Sequence, residues 1–284
     1  MEFANDNERQ VFEKVLKELP SIVEKCQGYD ELYGYKLLPG ELYDEKVVEV
    51  LIYKFCKAYK FDHDQTVMTL SATLEWRRKF DPISAAFREK HDDALEAVGV
   101  LTRDSDAPAN LKVITWNLYG GLLKNKEVFS DAQKFLRYRI GLMERGLRLL
   151  DFADPTNNSM TQVHDYDGVS IWRMDPQIKK CTKEVINVFQ SYYPELLHAK
   201  YFINVPSLLT WVYDVVKTFV SEETRKKFVV LNDGKKLGQY VPSAPSAEYG
   251  GKSKSSLKEL NVKEIKPSEY DIYMLEKTVN AEIE

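Results

Sequence analysis

The chain of 284 residues has few of the residues that mark several protein classes. It contains four histidines and three cysteines, and the cysteines lie far apart at Cys26, Cys56 and Cys181. The absence of CxxC pairs and Cys/His clusters argues against a zinc site and favours a reducing compartment. A net charge of −4 argues against a general nucleic-acid-binding surface, so no nucleic-acid partner is predicted.

Long hydrophobic runs and a recognisable leader are also missing. No apolar run approaches the ~20 residues that a membrane-spanning helix needs. The first six residues are largely acidic and polar, unlike a secretory signal peptide. These features predict a cytoplasmic protein that associates with membranes at most peripherally. No GxSxG nucleophile motif and no glycine-rich phosphate loop occurs, which disfavours an enzyme.

Residues 1–101 show apolar side chains at helical spacing, and we predict a small all-helical N-terminal module. Pro20 is expected to end the first helix. The tyrosine- and glycine-rich segment 30–43 predicts a loop, and His63 is expected to be solvated in a turn. Polar residues or a short loop precede each apolar pattern, and the helices are predicted to begin near Asn5, Asp44, Asp64 and Ile83.

Residues 111–284 follow a loop at 102–110, which we predict to be the domain boundary, and they alternate between strand and helix patterns. Such alternation predicts an α/β domain with a parallel or mixed sheet and right-handed crossovers. The predicted strands cover residues 112–118, 160–172, 200–205 and 228–231, and the predicted helices cover residues 131–150, 176–193 and 206–220.

The strand predicted at 160–172 carries His164, Asp165 and Tyr166, where a buried parallel strand is normally apolar. Side chains alternate along a strand, so His164 and Tyr166 share one face. A buried imidazole and a buried phenol require polar partners or a ligand. Two interpretations stay open: the two side chains are hydrogen-bonded to each other within the core, or they face a bound molecule.

The helix predicted at 206–220 has apolar side chains around most of its circumference. That distribution exceeds what one core-facing stripe requires. One interpretation is a helix that is buried on two sides. The other is a helix that closes over an apolar ligand and meets lipid when it opens.

Five motifs together resemble the CRAL-TRIO family. Residues 51–62 and 74–80 resemble its helical N-terminal module, and residues 192–195, 200–206 and 249–252 resemble the signature of the lipid-binding domain that follows. The motifs occur in the family's order from about residue 44 to residue 252, and the fungal phosphatidylinositol transfer proteins are the most similar group. The resemblance implies a non-enzymatic lipid carrier with a large apolar pocket, a gate helix at 206–220, and transient contact with endoplasmic reticulum or other membranes.

The resemblance also implies a headgroup site for phosphatidylinositol. Matched by motif, the family's inositol-phosphate contacts fall on Lys60, Glu184 and Lys217. Lysines suit a phosphate as compact charges, and a carboxylate accepts hydrogen bonds from inositol hydroxyls. The alternative is that each of the three is an ordinary solvated charge.

Three positions depart from the common family pattern and resemble its haem-binding subgroup. His164 and Tyr166 replace apolar residues of the pocket strand, and Tyr59 replaces the basic residue before the lysine. The resemblance implies ferric haem b in the pocket, with Tyr166 as the axial ligand and with His164 and Tyr59 beside the iron. A phenolate is a hard anionic donor that serves as an axial ligand in catalase. A phosphatidylinositol transfer protein without haem, and a haem peroxidase, remain the alternatives.

Overall fold

The computed structural model describes residues 1–124, 126–169, 176–205 and 222–283. The predicted gate helix at 206–220, with Lys217, lies outside the described residues. The described helices are α1 (Asp6–Lys25), α2 (Glu45–Ala58), α3 (His63–Phe80), α4 (Pro82–Phe87), α5 (Asp93–Glu96), α6 (Ala132–Leu147), α7 (Pro176–Tyr192), α8 (Glu222–Lys226), α9 (Ser246–Tyr249), α10 (Leu257–Leu260) and α11 (Glu269–Ile283). The described strands are β1 (Glu31–Leu32), β2 (Tyr35–Lys36), β3 (Gly99–Arg103), β4 (Val113–Leu118), β5 (Met160–Asp165), β6 (Leu197–Ile203) and β7 (Phe228–Leu231), and short 3-10 helices cover Tyr119–Lys124, Lys126–Phe129 and Gly234–Gln239.

Helix α1 continues through Pro20, so the prediction that this proline ends the helix is wrong. A proline inside a helix removes one backbone hydrogen bond and costs about 3 kcal/mol. The turns around Pro20 bury Leu19, Ile22 and Val23 in the core, each less than 5% exposed. This apolar burial offsets the lost hydrogen bond.

Helix α3 begins one residue earlier than predicted, because Asp62 rather than Asp64 provides the cap. The Asp62 side chain accepts a hydrogen bond from the backbone N–H of Gln65. His63 then lies in the first turn, and its Nε2 is 2.8 Å from Oε2 of Glu18 on α1. The side chain is 21% exposed, so His63 is only partly solvated, and its imidazole also joins two helices.

Two other segments of the N-terminal region differ from the predictions. Segment 30–43, predicted as a loop, contains the two-residue strands β1 and β2, which pair antiparallel. The single helix predicted from Ile83 to Val98 is two short helices, α4 and α5. In runs of two to six residues, hydrophobic periodicity cannot distinguish a helix from a strand or a loop.

Five of the described strands form one mixed sheet in the order β3-β4-β5-β6-β7. Strands β4 to β7 are parallel, and β3 pairs antiparallel with β4. This confirms the predicted α/β class with a helical N-terminal part and a mixed sheet. Strand β3 was not predicted, and its residues 99–101 fall within the segment predicted to be helical. The domain division itself stays a prediction.

The two faces of this sheet have different environments. The outer face is apolar and packs on the segment that follows β7, with Trp116, Val163 and Ile203 in one buried cluster with Leu237 and Val241. The other face, here called the inner face, is directed towards α6 and α7. The paired positions of this face along β4, β5 and β6 are Thr115, Asn117, Gln162, His164, Lys200 and Phe202. All of these residues except Phe202 are polar.

A fully buried ion network connects the N-terminal helices with the rest of the molecule. The Arg77 guanidinium on α3 donates to both carboxylate oxygens of Glu31 at 2.8 and 2.9 Å and to Glu144 on α6 at 2.7 Å. Arg148 donates in turn to Glu144 at 3.0 Å and to Asp271 on α11 at 2.6 and 2.7 Å. Burial alone would raise the pKa of Glu144, but the two guanidiniums outweigh it and lower that pKa to about 2.

We predict that Arg77→Met lowers the free energy of unfolding by about 3–5 kcal/mol. The substitution leaves the buried Glu31 carboxylate without a counter-charge and leaves Glu144 with only the Arg148 guanidinium. Urea unfolding followed by circular dichroism measures the loss. The matched control is Arg78→Met on the same helix, whose partly exposed ion pair with Glu75 is 3.8 Å long and should contribute less than about 1 kcal/mol. Equal losses in the two variants would contradict a special role for the buried network.

Candidate functional site

His164 and Tyr166 lie together on the inner face, at the carboxyl end of β5. Tyr166 follows the strand and donates its backbone N–H to the carbonyl of Ile203 at 3.0 Å. The Tyr119 ring is 5.2 Å from the His164 ring and 5.5 Å from the Tyr166 ring, measured between centroids. Phe202 on β6 contacts both rings as well, at 5.5 and 6.4 Å. The shared face predicted from strand alternation is thus observed.

Asp165, between them in sequence, holds the end of β5 from the opposite side. Its Oδ1 accepts hydrogen bonds from Nδ2 of Asn204 at 2.8 Å and from the backbone N–H of Asp167 at 2.9 Å. Its Oδ2 accepts from the Tyr249 hydroxyl at 2.9 Å. With the Asp165 side chain fixed in this way, alternation directs His164 and Tyr166 to the inner face.

The His164 imidazole is buried, with 5% of its surface exposed, and its Nε2 has no hydrogen-bond partner among the described residues. A hydrogen bond between His164 and Tyr166, one of the two interpretations of the sequence, is not formed. Burial lowers the pKa of His164 well below 6.5, and the positive charges of Lys200 and Arg139 lower it further. The imidazole is therefore neutral at physiological pH, with an unsatisfied nitrogen that could meet a ligand.

Tyr166 is half-buried and packs in a small apolar cluster with Phe202, Val205, Ile186 and Phe228. This cluster is separate from the two large cores. Burial raises the pKa of the Tyr166 phenol, and the nearby Tyr119 raises it further, while Arg139 acts in the opposite direction. The phenol therefore keeps its proton unless a metal ion displaces it.

Two cations near this cluster were missed by the sequence reasoning. Arg139 on α6 is 3% exposed, and its Nε and Nη1 lack partners among the described residues. Lys200 on β6 places its Nζ over the rings of Phe202 at 5.4 Å and Phe228 at 5.9 Å. A signal was present in the sequence, because Arg139 interrupts the apolar stripe between Phe135 and Met143 at four-residue spacing.

The remaining polar residues of the inner face are also poorly satisfied. The Thr115 hydroxyl has no partner among the described residues. Gln162 donates only to the sulfur of Met143 at 3.9 Å, and Asn117 donates to the carbonyl of Val163 at 3.5 Å. Because buried polar groups are normally paired, such a concentration on one face is unusual, and a partly polar ligand could satisfy these groups.

The other predicted site residues lie apart from this cluster. Lys60 is exposed at the end of α2 and forms a 3.7 Å ion pair with Glu223 on α8. Glu184 on α7 is half-buried, and its Oε2 has no partner among the described residues. Tyr59 is half-buried beside Lys60, and no ring contact within the described part of the chain joins it to His164 or Tyr166. Their proposed roles, and that of Lys217, stay predictions.

Comparison with known proteins places the chain in one family. Residues 110–251 match the CRAL/TRIO domain. The chain is 55% identical to proteins called phosphatidylinositol transfer protein SFH5 from Candida glabrata and Saccharomyces cerevisiae, with 100% of both chains covered in each case. The Candida albicans protein of the same name is 38% identical, with 98% of this chain and 92% of that one covered. The crystal structure of Sfh5 superimposes with a TM-score of 0.97 at 56% identity and covers 99% of this chain and 100% of that one.

We predict that His164→Phe raises the free energy of unfolding of the ligand-free protein by about 1–2 kcal/mol, because it removes a buried nitrogen without a partner. Phenylalanine has a similar shape and fits among the Tyr119 and Phe202 rings. Urea unfolding of the purified variant measures the change. His63→Phe is the control and should lose stability, since the His63 ring nitrogens bond to Glu18 and Asp64. A loss of stability in His164→Phe would show that its imidazole is already satisfied.

Proposed function

The chain belongs to the CRAL/TRIO family, and from that premise we propose that it transfers phosphatidylinositol and holds ferric haem b on its inner face. The curated relatives are named as phosphatidylinositol transfer proteins, which supports the lipid part. Their names describe carriers, which agrees with a non-enzymatic role. We also propose that the protein works in the cytoplasm with peripheral contact to endoplasmic reticulum or other membranes. No helix of the described part of the chain is both long and apolar enough to cross a bilayer.

One observation carries the haem proposal: buried His164, with its unpartnered Nε2, and Tyr166 both pack against the Tyr119 ring, where a lipid pocket calls for apolar side chains. Bound ferric haem would supply an iron centre that takes an anionic oxygen ligand. The donor set fits that chemistry, because a phenol and a neutral imidazole are both available on one face. Tyr119 and Phe202 provide flat aromatic surface beside them.

In this proposal Tyr166 would hold the group through its phenolic oxygen, and the phenolic proton would pass to water. Burial holds the phenol neutral in the ligand-free protein, so the proton leaves only when a metal compensates for the buried negative charge. The positive charge of Arg139 favours the phenolate. His164 lies close enough to interact with the same ligand and to tune the donor strength of the phenolate. Tyr59 is assigned to the neighbourhood of the iron by the family resemblance.

The lipid part of the proposal assigns the inositol phosphate to Lys60, Glu184 and Lys217. The exposed ion pair between Lys60 and Glu223 is weak, so a phosphate could replace that carboxylate at little cost. The unpartnered Oε2 of Glu184 could accept a hydrogen bond from an inositol hydroxyl.

The second candidate function is phosphatidylinositol transfer without haem. It predicts a colourless purified protein even after expression with ample haem. The haem proposal predicts a Soret absorption band in the same preparation. Peroxide turnover by the coloured protein would favour the third candidate, a haem enzyme.

We predict that Tyr166→Phe lowers bound haem to less than a tenth of the wild-type content while the fold is retained, because it removes the oxygen proposed to bind the iron. Soret absorbance per protein, with circular dichroism as the test of folding, measures this. The matched control is Tyr201→Phe, because Tyr201 belongs to the outer-face cluster and should not affect haem. Full haem content in Tyr166→Phe would refute the ligand assignment.

We further predict that Glu184→Gln lowers phosphatidylinositol transfer between vesicles about fivefold, because the neutral amide oxygen accepts a hydrogen bond that is about 1 kcal/mol weaker than the one to the carboxylate. Haem content should stay unchanged. Glu276→Gln, at an exposed position of α11, serves as the control. Unchanged transfer by Glu184→Gln would remove Glu184 from the headgroup site.

A further inference from the structure

Arg139 and Lys200 are two cations on the inner side of the protein without an acidic partner. Among the described residues, neither forms an ion pair with an aspartate or a glutamate, and two nitrogens of Arg139 have no hydrogen-bond partner at all. The Arg139 guanidinium lies 5.8 Å from the centre of the Phe189 ring on α7. Lys200 is likewise surrounded by rings rather than by carboxylates.

The other buried arginines of the same molecule show how unusual this arrangement is. Arg77 is bonded to two buried carboxylates, and so is Arg148. A buried charge without a partner is strongly unfavourable, and an arginine cannot relieve it by losing its proton. The described part of the chain thus supplies counter-charges for Arg77 and Arg148 but none for Arg139.

Lys200 and Arg139 lie near each other and near the His164 side chain. Lys200 is paired in register with Gln162, two residues before His164 on β5. Gln162 contacts the sulfur of Met143 at 3.9 Å, and Met143 lies one helical turn after Arg139 on α6. Arg139 also adds to the effect of burial that lowers the pKa of Lys200. Two residues along a strand correspond to about 6.6 Å. Lys200 therefore lies on the side of His164 that is remote from Tyr166.

We propose that Lys200 and Arg139 form an anion-binding subsite on the inner face, which takes a carboxylate or phosphate group of the molecule bound there. This inference rests on the proposed function and specifies its ligand further: an amphiphile whose acidic group enters the protein instead of remaining in water. A guanidinium offers a planar fork for such oxygens, and an ammonium offers a compact charge. The aromatic rings around both cations suit the apolar part of the same molecule.

The chemistry of this subsite fits two sources. One source is a porphyrin, which carries its carboxylates at the edge of the ring and its metal at the centre. The other is the phosphate of a phospholipid. Both supply negatively charged oxygens to the same two cations, so the experiment needs one arm for each.

The porphyrin arm uses the ligand-free, full-length protein with iron-free protoporphyrin IX and with its dimethyl ester, which lacks the two carboxylate charges. Tyrosine and tryptophan fluorescence quenching gives the dissociation constants. We expect the wild-type protein to bind the diacid at least tenfold more tightly than the diester. Lys200→Met should lose most of this preference, and Arg139→Gln should do the same. Lys235→Met, at an exposed position, should keep it.

The lipid arm measures transfer of phosphatidylinositol between phosphatidylcholine vesicles by the same variants. A loss of about tenfold in Lys200→Met and Arg139→Gln, with an unchanged preference for the porphyrin diacid, assigns the subsite to phosphate. Unchanged transfer with a lost diacid preference assigns it to carboxylate. Circular dichroism of each variant confirms that it is folded.

The proposal is overturned if the variants match the wild-type protein in both arms. That result leaves the proposed function untouched, since haem retention and lipid transfer would both continue. Conversely, if the wild-type protein binds neither haem nor porphyrin, the haem part of the proposed function is refuted. The subsite proposal is then tested by the lipid arm only.

Discussion

The Asp165 carboxylate fixes the end of strand β5, and the orientation of the candidate site depends on it. Its three hydrogen bonds join β5 to the end of β6 and to Tyr249 near the end of the family-matched region. A strand has only two faces, so an anchor on one face determines what the other presents. Asp165 faces the outer side, and the imidazole and phenol beside it in sequence therefore face inwards.

Buried charge has two different environments in this molecule. The network around Arg77, Glu144 and Arg148 is closed, because every charged group in it has an oppositely charged partner. The region around the inner face is open, because His164 and Arg139 keep polar atoms without partners among the described residues. Closed networks position structural elements relative to one another. Open ones destabilise the ligand-free protein and gain their partners when a ligand binds.

The family relationship and the local chemistry answer different questions. The match to the CRAL/TRIO domain and the superposition on Sfh5 establish the fold and the family. A fold of this kind defines where a ligand can lie, but the side chains on its inner face decide which ligand is favoured. Phe202 and Phe228 suit any hydrocarbon, whereas an imidazole, a phenol and two cations without an acidic partner in the described ranges could meet polar and acidic groups.

The sequence alone determined the α/β class, the alternating strands and helices, and the shared face of His164 and Tyr166, because these follow from the periods of two and 3.6 residues that local geometry imposes. It did not reveal that α1 passes through Pro20, that β3 joins the sheet, or that Arg139 and Lys200 approach His164. Those features depend on contacts between residues far apart in the chain. Burial in the core overrides the local preference of a proline, and only the packing of α6 on the sheet brings Arg139 near β5 and β6. Only the tertiary structure showed that His164 and Tyr166 form no hydrogen bond with each other, since a hydrogen-bond partner is a property of the surroundings and not of the residue.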